Sequence, residues 1–204
     1  EKIYDGTTSA EVLSVTFAGM ADGDTVQKTD YTAEAVFADA KAGAGKTAVL
    51  QVKLNETPSM ANYVLKETQV TLHGKQIQKA EAPVLETQKA IYLTSARGEQ
   101  KITLTGLPAD CGEISGGRAV IQSDEGGILE RTVRLDGGQL VIRFNKNSRE
   151  QAGNQAQIMI YDLAMENYKS AVISLCVELQ DDPNQKPDSE PAPDTGGSGN
   201  TGSG

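Results

Sequence analysis

Tryptophan is absent from these 204 residues, aromatic side chains make up 4% of them, and there are one histidine and two cysteines. Each shortage removes a class of function. Sugar-binding platforms stack a flat ring on the sugar face, so a broad lectin surface is not expected. The lone imidazole, His73, would have to act without a second histidine as base or metal ligand, whereas a site needs convergent partners. It ends the alternating run Val70-Thr71-Leu72-His73-Gly74 and reads as a solvent-facing strand residue. Two cysteines cannot hold a structural zinc ion by themselves. No apolar run approaches the roughly 18 residues of a membrane-spanning helix, so no insertion by this stretch is expected. Basic residues are also outnumbered, 19 against 28 acidic ones, for a net charge of -9. Nucleic-acid binding relies on clustered Lys and Arg to displace counterions from phosphates, and that partner is excluded. No catalytic residue and no cofactor is expected.

What is present is β-sheet chemistry. Short runs rich in Val, Ile, Thr and Tyr alternate with period two between Gly, Asp, Asn and Pro, and no amphipathic helix emerges. The first region reads as strands near Lys2 to Thr7, Val12 to Ala18, Tyr31 to Phe37, Thr47 to Leu54, Tyr63 to Leu65 and Gln69 to Leu72. Ala80-Glu81-Ala82-Pro83 interrupts the pattern. Proline holds its predecessor extended and donates no amide hydrogen, which suits a joint between domains. Beyond it strands are expected near Ile91 to Thr94, Lys101 to Thr105, Ala119 to Gln122, Leu129 to Leu135, Gln139 to Phe144, Gln157 to Tyr161 and Ala171 to Leu179, with Asp136-Gly137-Gly138 as a tight hairpin turn. The expected fold is therefore all-β: two small β-sandwich domains in tandem, residues 1–80 and 81–180, with a β-grasp-like arrangement as the alternative for the first. From Asp181 the apolar residues give way to Asp, Pro, Ser, Gly, Thr and Asn. Such a composition cannot offset its ordering entropy, so residues 181–204 read as a disordered linker. The sequence opens on Glu1, which reads as a piece of a longer polypeptide.

Candidate site residues are few. Ala42-Gly43-Ala44-Gly45-Lys46-Thr47 imitates a phosphate loop, yet Ala40 stands where the pattern needs glycine and a strand pattern follows it. Asp22 and Asp24 could give two oxygens to calcium, but the rest of an EF-hand is missing and a solvated turn is the plainer reading. Cys111 and Cys176 could form a disulfide or remain thiols. Alternation puts Ala171, Ile173, Leu175, Val177 and Leu179 on the apolar face of the last strand and Cys176 on the opposite one, which disfavours a bridge buried between sheets. Lys2, Lys46, Asn62 and Asp39 hold the side chains of an isopeptide crosslink, though burying them would be costly. Asn62-Tyr63 and Asn167-Tyr168 recur before the last strand of each domain and read as structural corners, with the ring buried and the hydroxyl bonded to nearby backbone.

The opening Lys2-Ile3-Tyr4-Asp5-Gly6-Thr7-Thr8-Ser9-Ala10 resembles the start of the YDG domain, a repeat module of large bacterial surface and secreted proteins that include haemagglutinin-like adhesins. Gly19 to Asp24, Phe37 to Thr47, Ala61-Asn62-Tyr63-Val64-Leu65 and Ile77 to Ala80 follow in that family's order. The resemblance implies an extracellular β-module with no catalytic residues to carry over. Residues 81–180 look like the Ig-like modules that accompany such repeats. The expected role is a monomeric, non-catalytic stalk or adhesion module at the cell surface or wall, meeting an extracellular protein or glycan. The alternative is an accessory carbohydrate-binding module of a secreted enzyme, for which Tyr4, Tyr92 and Tyr161 are the available rings.

Overall fold

The computed structural model describes residues 1–186; the rest of the expected linker, residues 187–204, lies outside the described residues. The fold is all-β, and its only helices among the described residues are single 3-10 turns. Strands β1 (Lys2–Ile3), β2 (Ser9–Ala10), β3 (Tyr31–Phe37), β4 (Gly43–Leu54) and β5 (Gln69–Gln78) form one sheet in the order β1-β5-β4-β3-β2, with β1 parallel to β5 and the other pairs antiparallel. A three-stranded sheet takes β7 (Gly98–Thr103), β10 (Arg134–Asp136) and β11 (Gln139–Phe144) in the order β10-β11-β7. The third sheet orders β6 (Gln88–Leu93), β13 (Ala171–Gln180), β12 (Gln155–Met165) and β8 (Ile114–Ser115) as β6-β13-β12-β8, with β9 (Arg118–Asp124) also paired to β12.

The chain divides into two compact units. Unit 1 gathers residues 1–86, 105–118 and 160–172, and unit 2 gathers 87–104, 119–159 and the described residues from 173 onward. In unit 1 the side-chain period of a strand decides what is buried. Along β3, Ala35 and Phe37 point inward while Thr32, Glu34 and Val36 face out, and Ala48 on β4 and Ile77 on β5 complete the inner face. In unit 2 the same rule buries Ile158 on β12 and Ile173, Leu175, Val177 and Leu179 on β13, all fully, whereas β11 is covered on both faces and buries Leu140, Val141 and Ile142 in succession. The turn between β10 and β11 is a two-residue hairpin: Asp136 pairs with Gln139, and Gly137 and Gly138 adopt φ of 53° and 78°. Positive φ at both central positions gives the strand twist a matching turn.

Two expected strands are absent. Val12 to Ala18 and Tyr63 to Leu65 are irregular. The edge of β3 next to Ala35 and Val36 is taken by β2, and the Val12–Ala18 segment is held through side chains instead, with Phe17 edge-on to Tyr31 at 5.1 Å. The first strand is also shorter than its alternation suggested, because the chain turns at Gly6, whose φ is 77°.

Candidate functional site

The signature at the start of the chain folds around its own lysine. After β1 the chain turns back, and the Lys2 ammonium sits within that loop, 2.6 Å from Asp5 Oδ1, 2.7 Å from the Ser9 carbonyl, 3.0 Å from the Thr7 carbonyl and 3.1 Å from Thr7 Oγ1. Its side chain is 11% exposed. An ammonium has three protons to donate, and here oxygen atoms surround it. Asp5 Oδ1 also accepts from the Thr7 amide at 2.9 Å and the Thr7 hydroxyl at 2.8 Å, closing the turn. Lys2, then the Thr7 amide, hold the Asp5 carboxyl down at about 2.

Tyr4 leaves this loop on the other side. Its hydroxyl donates to Asp110 Oδ2 at 2.9 Å, and the Tyr168 hydroxyl donates to Asp110 Oδ1 at the same distance. The two rings meet edge to face at 5.5 Å. Asn167, 5% exposed, accepts from the Ala42 amide at 3.0 Å through Oδ1 and donates to the Asp110 carbonyl at 2.7 Å through Nδ2. Burial, then Asp110, push the Tyr4 hydroxyl up to about 12, and Asp110 raises Tyr168 as well. The two tyrosines in turn lower Asp110. These bonds tie Tyr4, Asp110, Asn167 and Tyr168 into one cluster.

A third polar knot fixes the far end of the sheet. Asp30, 3% exposed, accepts from the hydroxyls of Thr57 and Ser59, each at 2.7 Å, and from the Gln27 amide at 2.8 Å. Ser59, Gln27 and Thr57 lower its pKa in that order, without a cation. Buried carboxylates need such bonds to remain charged.

Residues 1–71 match the YDG domain family. No curated protein matches the chain. Of the polar side chains in Lys2 to Ala10, Lys2, Asp5 and Thr7 are thus bonded to one another within the loop and Tyr4 is bonded to Asp110. Acid follows with a defined sign. Asp5, Asp30, Asp39 and Asp110 all have folded pKa values below the unfolded 3.8. Their stabilisation is complete above that value and lost as pH falls through the folded ones. Thermal midpoints measured from pH 7 downward are expected to be level until about pH 5 and to fall steeply toward about 2, where Asp5 protonates.

The remaining candidates take other places. Within the matched residues Asp24 accepts a hydrogen bond from the Tyr63 hydroxyl, which itself accepts from the Ala21 amide at 3.1 Å; Asp22 and Asn62 are exposed. The four corner residues therefore divide: Tyr63, Asn167 and Tyr168 make long-range bonds, and Asn62 has none among those described here. No group of three or more His, Cys, Asp or Glu that could hold a metal ion occurs among the described residues. Gly43 to Leu54 is one continuous strand, so Lys46 lies in a sheet and not at a helix start, and its ammonium meets Asp39 Oδ1 at 2.5 Å. His73 is exposed on β5. The outer face of β3 and β4 and the loop around Tyr63 bound a groove of about 570 Å³ lined by Thr32, Glu34, Gln51, Lys53, Tyr63 and Leu65.

Cys111 and Cys176 are free, buried thiols, in unit 1 and unit 2 respectively. Alternation assigned Cys176 to an outer face, yet that position is covered too, and Sγ lies 3.5 Å from Gln155 Oε1. A thiol reagent is expected to titrate two thiols in denaturant and to react slowly with the native protein; one fast native thiol would contradict the burial. In unit 2, Asp124 accepts from the amides of Ile128 and Leu129 at 2.8 and 3.1 Å. Asp181 pairs with Arg149, and Asp182, 8% exposed, takes the Ser95 hydroxyl and the Asn184 amide. The first residues of the expected linker are therefore held against unit 2. Sequence reasoning missed Asp110 and Asp30. Neither sits in a motif, and only the distant partners reveal them.

Proposed function

We propose that the chain is a non-catalytic structural or adhesion module of a bacterial cell-surface or secreted protein, a stalk or binding repeat whose YDG domain is followed by an Ig-like β-sandwich and a linker. The observation that carries this reading is the use of the YDG-like signature: Lys2, Tyr4, Asp5 and Thr7 are spent on the fold. Further support comes from the carboxylates, since every one with a displaced pKa among the described residues is displaced downward, opposite to a general acid. The rings that a sugar platform would need have separate partners: Tyr4 meets Tyr168, Tyr92 meets Phe144 at 5.0 Å, and Tyr161 lies under Arg118 at 5.1 Å. No helix among the described residues is long and apolar enough to cross a membrane. The partner is an extracellular protein or glycan.

Antibodies raised against the chain test the location. They should label intact cells that express the parent protein, and labelling only after lysis would overturn the reading. A glycan array probed with the fluorescent chain separates the two binding roles. A saturable hit abolished by Tyr161→Ala or Tyr92→Ala would favour an accessory carbohydrate-binding module.

A further inference from the structure

Unit 2 begins and ends on the same pair of strands. Its first strand, β6, lies parallel to its last, β13, in an unbroken register from Gln88 opposite Leu175 to Leu93 opposite Gln180. The Thr94 amide extends the ladder by donating to the Gln180 carbonyl at 2.8 Å. Because β6 is the edge of its sheet, β13 is its one neighbour there. We propose that this pair is a mechanical clamp that lets unit 2 resist tension applied between the start of its first strand and the end of its last.

Direction decides the strength of such a pair. Pulling between residue 87, at the start of β6, and the chain beyond Gln180 loads β6 and β13 at their outer ends. In parallel strands those points lie at opposite ends of the ladder, so tension loads its evenly spaced hydrogen bonds together, in shear. Pulling both strands at the same end would instead peel the bonds apart singly. The side chains oppose sliding as well: Leu175, Val177 and Leu179 are fully buried, and a close-packed core does not let them slip past their neighbours. Lys89 and Glu178 add an ion pair across the two strands at 2.7 Å.

The exit point is fastened separately. Just beyond β13 the Asp181 carboxylate takes Arg149 through two bonds of 2.7 and 2.6 Å. The Asp182 amide donates to Thr94 Oγ1 at 3.1 Å while its carboxylate takes Ser95, and Gln185 donates to the Asn147 carbonyl at 2.8 Å. Thr94 and Ser95 directly follow β6, so these residues tie the end of the last strand to the end of the first. Load reaching the C-terminal side must break this strap before it bears on Gln180.

Load-bearing deepens the stalk reading and rests on it, but its test is independent of where the protein resides. In single-molecule force spectroscopy of the full chain, one handle is placed at Thr87→Cys and the other either at the C-terminus or at Ser174→Cys, in a Cys111→Ala, Cys176→Ala background. The first geometry shears the ladder and the second peels it. Unit 2 should yield at a clearly higher force in shear; an equal or lower force overturns the clamp. If the alanine background melts below the parent, the same handles in a Cys111→Ser, Cys176→Ser background give a second reading in the shear geometry. Shear rupture puts the distance to the barrier near one hydrogen-bond length, about 3 Å, in the loading-rate dependence of the unfolding force. A distance several times longer contradicts the clamp. Cell labelling that fails while the force asymmetry holds would discard the surface location and keep the mechanical property.

Discussion

Gly112→Ala is expected to destabilise the protein by about 2–5 kcal/mol, from a left-handed backbone cost of about 1–2 and an overpacking cost of about 1–3. Gly112 has φ of 72°, and a Cβ built on it would lie 2.6 Å from the Cβ of Glu166 and 2.3 Å from its Oε2. The carboxylate end can rotate away at the expense of its 3.1 Å pair with Lys41. The Glu166 Cβ cannot, because it moves with a backbone whose amide is bonded to the Glu113 carbonyl at 3.0 Å. Asn167, next in the chain, would be displaced with it, and with Asn167 the bonds to Ala42 and Asp110. Urea unfolding followed by circular dichroism measures the loss. Gly116, which also has positive φ but has nothing within 4 Å of its would-be Cβ, is the control: Gly116→Ala should cost only the backbone component, about 1–2 kcal/mol.

Ile77→Ala should cost about 2–5 kcal/mol, the range for emptying a large apolar side chain from a packed core. Ile77 is 1% exposed and lies where β5 meets both neighbours, opposite Lys2 of β1 and Gly43 of β4. It forms a buried cluster with Phe37 and Ala48, against which Tyr4, Ala10, Ala42 and Leu72 pack. The cavity would open directly beneath the signature loop, so the loss should approach the upper part of that range unless Tyr4 settles into the space. At about 4–8 °C per kcal/mol for a domain of this size, the melting temperature should fall by about 10 °C or more. His73→Ala on the same strand, at an exposed position, should leave it within about 0.5 kcal/mol of the parent.

Much of this architecture was legible in the sequence where local chemistry settles the outcome. Tyr31–Phe37 and Gln139–Phe144 have the bounds that their alternation implies, and Asp136-Gly137-Gly138 makes the turn that its residue types demand. The apolar face of β13 is the alternating set from Ala171 to Leu179. Legibility failed where a partner far along the chain decides. Val12 to Ala18 alternates well enough for a strand but has no neighbour to pair with. Ile114–Ser115 is too short to show any period and exists as a strand because Met165 and Ala164 lie opposite it. Cys176 was assigned by period to an open side, and the tertiary fold covers that side too. The polar knots are the extreme case: Tyr4 and Asp110 are 106 positions apart, Ala42 and Asn167 are 125 apart. Asp110 has no motif around it, and nothing local distinguishes it from the carboxylates that remain in solvent. The signature itself was recognisable as a family mark, whereas its physical meaning, a lysine enclosed by the loop it closes, required the third dimension.

The claim on which the functional reading depends is that the signature loop, through Lys2 and Asp5, holds the fold. Its most direct test is the thermal midpoint at neutral pH of Lys2→Met, Asp5→Asn and the double variant. Each single change should lower the midpoint. The double should lower it by less than the sum of the two, because both remove the same Lys2–Asp5 ion pair and interacting sites do not add. Unchanged midpoints in the single variants would contradict it, and would release the Lys2 ammonium and the Asp5 carboxylate for a role at the surface.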